Sequence, residues 1–374
     1  LQPAVSHEKS FFFHIFSASK GVSSMTVAVA VSGGMDSLLS LVLLKEQGED
    51  VMAVHGHFLP PNPDWQRVVD GLTKACETLG VSFHALDLHS EFDQRVVAPF
   101  VAAYRAGLTP NPCAMCNPCM KFGTLFTAAQ NMGADRFATG HYVRLEKRAG
   151  LGVVLTRGTD LSKDQSYFLS LVPIEKLRLA YFPLAETYKR DVLDILDSHG
   201  LTPPIPSESQ EICFVPDDDY QSFLCRRGKM PGGGQALLSD GTVVGSHKGL
   251  WRHTQGQRRG LGIAWTEALY VLDKDIATNT LIVGTREELE APGCIAGQVN
   301  MMVPFSQWPK VVMAQTRYRQ KAKPSRVDLE DGKLIFHFIE AHGRPTPGQV
   351  AVAYTEDGVV LGGGVIEAST RGES

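Results

Sequence analysis

The chain has 374 residues, 43% of them hydrophobic and 20% charged, with a formal net charge of −4. That length exceeds what one hydrophobic core usually serves, so two or three domains are expected, and no apolar run reaches the roughly 20 residues that cross a bilayer. A slightly acidic chain does not bind nucleic acid through overall charge, so any RNA partner has to be met by local basic patches.

Residues 1–24 precede the first clear element. They carry the apolar run Phe11-Phe12-Phe13-His14-Ile15-Phe16, shorter than the usual core of an export signal, and read as an extension dispensable for the fold, with Met25 as the natural start. From there the pattern predicts a strand over 26–31, a helix over 36–47, a strand over 51–54, a helix over 64–79 and a strand over 81–88. A helix over 122–132 and a strand over 136–140 extend this βαβαβ order into an α/β, doubly wound domain with a parallel sheet. A helix over 186–198 closes it, and Pro203, Pro204 and Pro206 break regularity. Beyond them a short helix over 219–226, the glycines 232–234 and many short strands follow. Turn signals at Asp331-Gly332 and Asp357-Gly358 point to a C-terminal all-β barrel or sandwich. The expected domains are 25–207, 208–287 and 288–374.

The loop Ser32-Gly33-Gly34-Met35-Asp36-Ser37 lies between the first predicted strand, ending in Ala30 and Val31, and the first predicted helix. Two glycines allow close backbone approach to phosphate, Ser37 adds a hydroxyl, and the helix start presents N–H groups to an anion. No lysine of the Walker type follows. Asp36 suits either a Mg²⁺ ligand or a brace of the loop. Taken only locally, the same residues also describe a capped glycine turn.

Cys113, Cys116 and Cys119 lie three apart in Asn111-Pro112-Cys113-Ala114-Met115-Cys116-Asn117-Pro118-Cys119, just before Lys121. Without a convincing export signal, such clustering indicates thiol chemistry or a metal in a reducing compartment, the cytoplasm. A thiol near a helix start with Lys121 close by is expected to have a lowered pKa. Cys213, between Ile212 and Phe214, suits a core position when read alone. Cys76, Cys225 and Cys294 read as structural. Candidate basic patches are 226–229, His247 and Lys248 through Arg252, His253, Arg258 and Arg259, and Arg317 to Lys323, each equally readable as a solvated face.

Seven motifs in order make the chain resemble the tRNA-specific 2-thiouridylases, within the PP-loop ATP pyrophosphatases. They are the 32–37 loop, Asn-Pro-Cys-x-x-Cys-Asn with Lys-Phe-Gly, Thr139-Gly140-His141-Tyr142, residues 163–169, Glu211-Ile212-Cys213-Phe214, residues 256–262 and residues 346–349. The resemblance implies ATP-dependent synthesis of 2-thiouridine at wobble uridine 34 of the tRNAs for Lys, Glu and Gln, with Mg²⁺ accompanying ATP. By position, Cys213 would carry a persulfide and Cys116 would be the second catalytic thiol. Residues 30–37, Gly56 and Gly140 would meet the nucleotide, and Asn111, Pro112 and Cys113 the target base. His141, Lys163, Asp164, Gln165, Arg317, Tyr318 and Gln349 would touch tRNA, and a cysteine desulfurase or sulfur relay protein would be a partner. The chain departs from the family's common pattern at Cys113, often Asp, before Ser209, and at His253-Thr254-Gln255.

Three rivals stay open on sequence. The C-x₂-C-x₂-C rhythm fits a [4Fe-4S] cluster on Cys113, Cys116 and Cys119, with Cys213 as a further ligand. A different PP-loop synthetase would leave the cysteines incidental. A non-enzymatic RNA-binding or zinc-stabilised module is the third, although no second Cys or His pair follows at a finger-like interval.

Overall fold

The computed structural model describes residues 25–205 and 212–370. The expected N-terminal extension, and Ser209, Gln210 and Glu211 of the second cysteine motif, lie outside them.

Val27, Ala28 and Val29 are fully buried in β1 (Thr26–Ala30), as a central parallel strand covered on both faces requires. It is followed by β2 (Asp50–His57), β3 (Ser82–Asp87) and β4 (Arg136–Ala138). A separate antiparallel hairpin of β5 (Val143–Arg148) and β6 (Gly152–Arg157) then precedes β7 (Ala180–Tyr181). The all-parallel order β3-β2-β1-β4-β7 reverses direction between β1 and β4, which places the ligand crevice at their C-terminal ends. Helix α1 (Met35–Glu46) starts there. Helix α2 (Pro63–Leu79) is capped by the Asn62 side chain, opens on Pro63 and stops at left-handed Gly80. Its Val68, Leu72 and Cys76 pack with Leu41 and Leu44 of α1 over Val27, Val29, Val51 and Ala53.

One long helical stretch escaped the sequence pattern. Residues 89–105 bury Phe92, Val96, Val97, Phe100, Val101 and Tyr104 at helical spacing. Pro99 lies inside this continuous stretch, directly after the π-helical turn Asp93–Val97, where a widened ladder accommodates a residue that has no N–H to donate. The helix expected over 122–132 is divided as well. A short helix Pro112–Cys116 runs into a π-helical stretch Asn117–Leu125, followed by Phe126–Asn131.

The middle of the chain forms a four-stranded sheet from β8 (Gly234–Leu237), β9 (Val243–His247), β10 (Tyr270–Asp275) and β11 (Thr280–Gly284), in the order β10-β11-β8-β9. The last third comprises β12 (Glu290–Met301), β13 (Val312–Gln315), β14 (Lys323–Glu330), β15 (Lys333–Gly343), β16 (Val350–Tyr354) and β17 (Val360–Ser369). They close as the antiparallel barrel β12-β15-β14-β13-β16-β17, which decides between barrel and sandwich and leaves no open edge. Cys294, Ala296, Ala314, Leu334, Phe336 and Ala353 fill its core.

Cys76 and Cys294 are buried as expected, whereas Cys225 is exposed on the helix Tyr220–Arg226 and has no core role. Two residues of the expected basic patches are corrected too. His247 and His253 are buried, and desolvation lowers the His253 pKa to about 4, so that side chain adds no positive charge at neutral pH.

Candidate active site

The phosphate loop is closed by its own serines. Ser37 Oγ donates to the Gly34 carbonyl at 2.9 Å and accepts from the Ser32 N–H at 3.0 Å. Gly33 adopts a left-handed φ of +92°, and an added Cβ would lie 2.9 Å from a Val68 methyl of α2, so glycine is required there on two counts. Gly34 caps α1 without any side-chain bond, which leaves the first-turn N–H groups to an anion.

Asp36 was open between metal ligand and brace, and its contacts fit the brace. Both carboxylate oxygens accept from Lys189 Nζ at 2.6 Å, and Oδ1 also accepts from the Tyr142 hydroxyl at 2.6 Å. Lys189 was missed in the sequence because it stands 153 positions away in an unremarkable run. Nothing local announces that the fold returns it to the loop.

The segment Thr139-Gly140-His141, at the C-terminal end of β4, joins this loop to the cysteines. A Cβ on Gly140 would stand 2.9 Å from the Asp36 carbonyl carbon, so its backbone presses directly on the start of α1. The next residue, His141, is buried. Its Nε2 accepts from Lys121 Nζ at 3.2 Å, which assigns the proton to Nδ1 and makes that nitrogen the donor to Thr139 Oγ1 at 2.7 Å. Burial, together with the Lys121 charge, holds this ring neutral well below the usual histidine range. A charged lysine is thereby aimed by a neutral imidazole.

Lys121 sits close enough to Cys113, Cys116 and Cys213 to favour each thiolate. Cys113 and Cys116 are carried by the helix Pro112–Cys116, capped by Asn111 Oδ1 accepting from the Ala114 N–H at 3.1 Å. Cys213 is brought in by its neighbour Phe214, whose ring packs edge-on against Phe92 and Phe100. The core reading of Cys213 is thus replaced: Phe214 takes the core, and Cys213 beside it is exposed.

The expectation of lowered thiol pKa values is overturned. Desolvation outweighs the lysine and raises all three, Cys213 to about 11 and Cys116, the least exposed of them, further still. Cys119 Sγ turns back to the Met115 carbonyl at 2.9 Å, and among the described residues no group of three or more His, Cys, Asp or Glu side chains is arranged to hold a metal.

The residues expected to touch RNA divide by depth. His141 is occupied as described, and Asp164 is buried under Arg157, accepting from it at 2.7 Å and from Ser166 Oγ at 2.8 Å. Both side chains are buried and bonded internally. Arg317 is exposed, Tyr318 packs its ring 4.2 Å from Phe168, and Lys163 and Gln165 are half-buried. Gln349 donates to the Thr109 carbonyl at 2.8 Å. Gly56 lies where β2 passes the crevice, with Phe58 and Leu125 filling the space beside its Cα.

Three family models tile the chain: tRNA methyl transferase HUP domain over 25–217, tRNA methyl transferase PRC-barrel domain over 221–285, and aminomethyltransferase beta-barrel domain over 292–366. The tRNA-specific 2-thiouridylase MnmA of Nitratidesulfovibrio vulgaris strain DP4 is 51% identical over 91% of this chain and 99% of its own length. The chain belongs to the tRNA-specific 2-thiouridylase family. Other 2-thiouridylases, from Oleidesulfovibrio alaskensis and Lawsonia intracellularis, share 50% and 44% identity over the same fractions. An NH3-dependent NAD synthetase structure from Campylobacter jejuni aligns with 49% of this chain and 66% of its own, at 16% identity and a TM-score of 0.29, too little to carry any argument. The order of the three family units matches that of the parallel sheet, the central sheet and the closed barrel.

Proposed function

We propose that this 2-thiouridylase adenylates the C2 oxygen of wobble uridine 34 in the tRNAs for Lys, Glu and Gln, and replaces that oxygen with sulfur carried as a persulfide on Cys213. The observation that carries the reading is the continuous path from Asp36 through Gly140 and His141 to Lys121 and three thiols. A nucleotide loop and a thiol cleft that share one strand end suit two consecutive steps on one base.

In the first step the uridine O2 attacks the α-phosphate of ATP, and pyrophosphate leaves toward the N–H groups of the 32–37 loop. Mg²⁺ bound with ATP supplies charge neutralisation on the phosphates. Asp36, held by Lys189 and Tyr142, keeps the loop in register. In the second step the terminal sulfur of the Cys213 persulfide adds to C2 and AMP departs. Cys116 then attacks Cys213 Sγ, breaking the bond to the transferred sulfur, and the resulting Cys116–Cys213 disulfide takes two electrons from a thiol reductant. A persulfide is more acidic than its parent thiol, so loading sulfur on Cys213 raises the anionic fraction at that position. Lys121 then favours the anion.

The target base has to leave its stacked loop to reach this cleft. Lys163, Gln165, Arg317, Tyr318 and Gln349 are the proposed RNA-facing residues, and a cysteine desulfurase or sulfur relay protein the cytoplasmic donor. Incubation with ATP, Mg²⁺, cysteine desulfurase, cysteine and unmodified tRNA is expected to yield 2-thiouridine on nucleoside analysis. Its absence with the unaltered protein refutes the assignment. A Cys213→Ser variant with full turnover would move the chain to a different PP-loop synthetase.

A further inference from the structure

Two residues before the Asn111 cap, all three parts of the chain converge on one residue, Thr109. Its N–H donates to the Pro347 carbonyl at 3.0 Å, its carbonyl accepts from Gln349 at 2.8 Å, and the Asn111 N–H donates to the Gly348 carbonyl at 3.2 Å. These contacts come from the barrel. From the central unit, Thr254 Oγ1 lies 3.3 Å from the Thr109 hydroxyl, and Ile276 occupies the space where a Cβ on Gly107 would stand. The same unit sends in Lys274 from β10. Its ammonium donates to the Gly107 carbonyl at 2.7 Å and lies 3.5 Å from Thr109 Oγ1, with the residue 7% exposed.

A buried lysine on backbone carbonyl and hydroxyl groups is costly unless its geometry matters, because a methionine would fill the same space without desolvating a charge. Nothing in the phosphate loop or the thiol cleft touches it directly. What it holds is the turn that sets Asn111, and through that cap the helix bearing Cys113 and Cys116.

We propose that Lys274 is a positioning residue for sulfur transfer: from the central sheet it clamps the 107–109 turn against the barrel, and so sets the helix that carries the thiols. The proposal rests on the reading that Cys116 acts in sulfur transfer by attacking Cys213. It makes turnover depend on how the central and C-terminal units sit, and the C-terminal unit carries the proposed RNA-facing residues Arg317, Tyr318 and Gln349. The burial that lowers the Lys274 pKa to about 8 fits an amine enclosed on the clamp rather than a solvated tether.

The test compares the full-length protein with its Lys274→Met and Thr109→Val variants, measuring thermal midpoint, amide hydrogen exchange over 107–116, and kcat and KM for tRNA thiolation. Lys274→Met is expected to keep its thermal midpoint and its KM for tRNA, to exchange faster over 107–116, and to lose kcat by roughly tenfold to a hundredfold, the scale of a 1 Å misplacement. Thr109→Val, which removes the hydroxyl contacts to Thr254 and Lys274 but leaves the backbone bonds to the barrel and the Lys274 bond to Gly107, is expected to show the same pattern in smaller measure. Unchanged exchange and kcat in Lys274→Met overturn the proposal, as does a fall in kcat that only tracks a fall in thermal midpoint. If the unaltered protein forms no 2-thiouridine, the functional reading fails, while the exchange data still decide the clamp.

Discussion

Substituting Gly140 by alanine tests how tightly the nucleotide loop is built. The added Cβ would lie 2.9 Å from the Asp36 carbonyl carbon and 3.0 Å from the Asp36 oxygen and the Ser37 nitrogen, distances that real Cβ atoms hardly show. All three are backbone atoms at the start of α1, so no side-chain rotation relieves the clash. Either β4 or the loop has to move, and overpacking of this kind costs about 1–3 kcal/mol. If the loop yields, that strain appears in ATP binding as a loss of roughly 5- to 150-fold, at 1.4 kcal/mol per factor of ten. Calorimetric ATP affinity and tRNA-dependent pyrophosphate release measure the loss, with thermal midpoint reporting what the fold absorbs. Gly232→Ala is the control, since a Cβ added there would meet nothing within 4 Å and the residue adopts no left-handed φ. A Gly140→Ala protein with unaltered ATP affinity and midpoint would refute the reasoning.

Three further outcomes are expected. Lys189→Met strips Asp36 of its ion pair, and pyrophosphate release should fall about tenfold as the loop loosens, a partly buried pair of this kind contributing about 1–2 kcal/mol; unchanged release would remove the brace. Because the Cys213 thiol is raised to about 11, its alkylation rate should climb about tenfold per pH unit from pH 7 and keep climbing beyond the ordinary thiol range near 8.5, and Lys121→Met should slow it at every pH. A plateau near pH 8 would contradict the burial argument. Asp164→Ala leaves Arg157, which also donates to Gln315 at 2.9 Å and lies 4.0 Å over the Tyr354 ring, without its carboxylate. Urea unfolding should show a loss of about 3 kcal/mol, and a loss near zero would mean that water compensates.

Much of the site was readable because its chemistry is local. Strand, two glycines, Asp36 and Ser37 follow one another within the span of one loop, and the helix start they require comes next in the chain. The alternation of apolar strands and amphipathic helices likewise announced a parallel sheet, since strands covered on both faces need continuous apolar runs. The helical stretch over 89–105 went unread because it contains Pro99, which is tolerated there only next to the π-helical turn Asp93–Val97, a local widening that sequence spacing does not announce.

Tertiary structure decided everything that depends on burial and return. Lys121 beside a cysteine pair suggested activated thiols, but whether desolvation or the cation wins depends on how much protein surrounds the sulfur, and burial won. His141, Asp164, His247 and His253 look like surface polar residues in sequence and are core residues in space. Lys189 and Lys274 carry no motif at all, yet one reaches the phosphate loop and the other the turn before the thiols, because long-range packing places atoms that sequence spacing leaves unrelated.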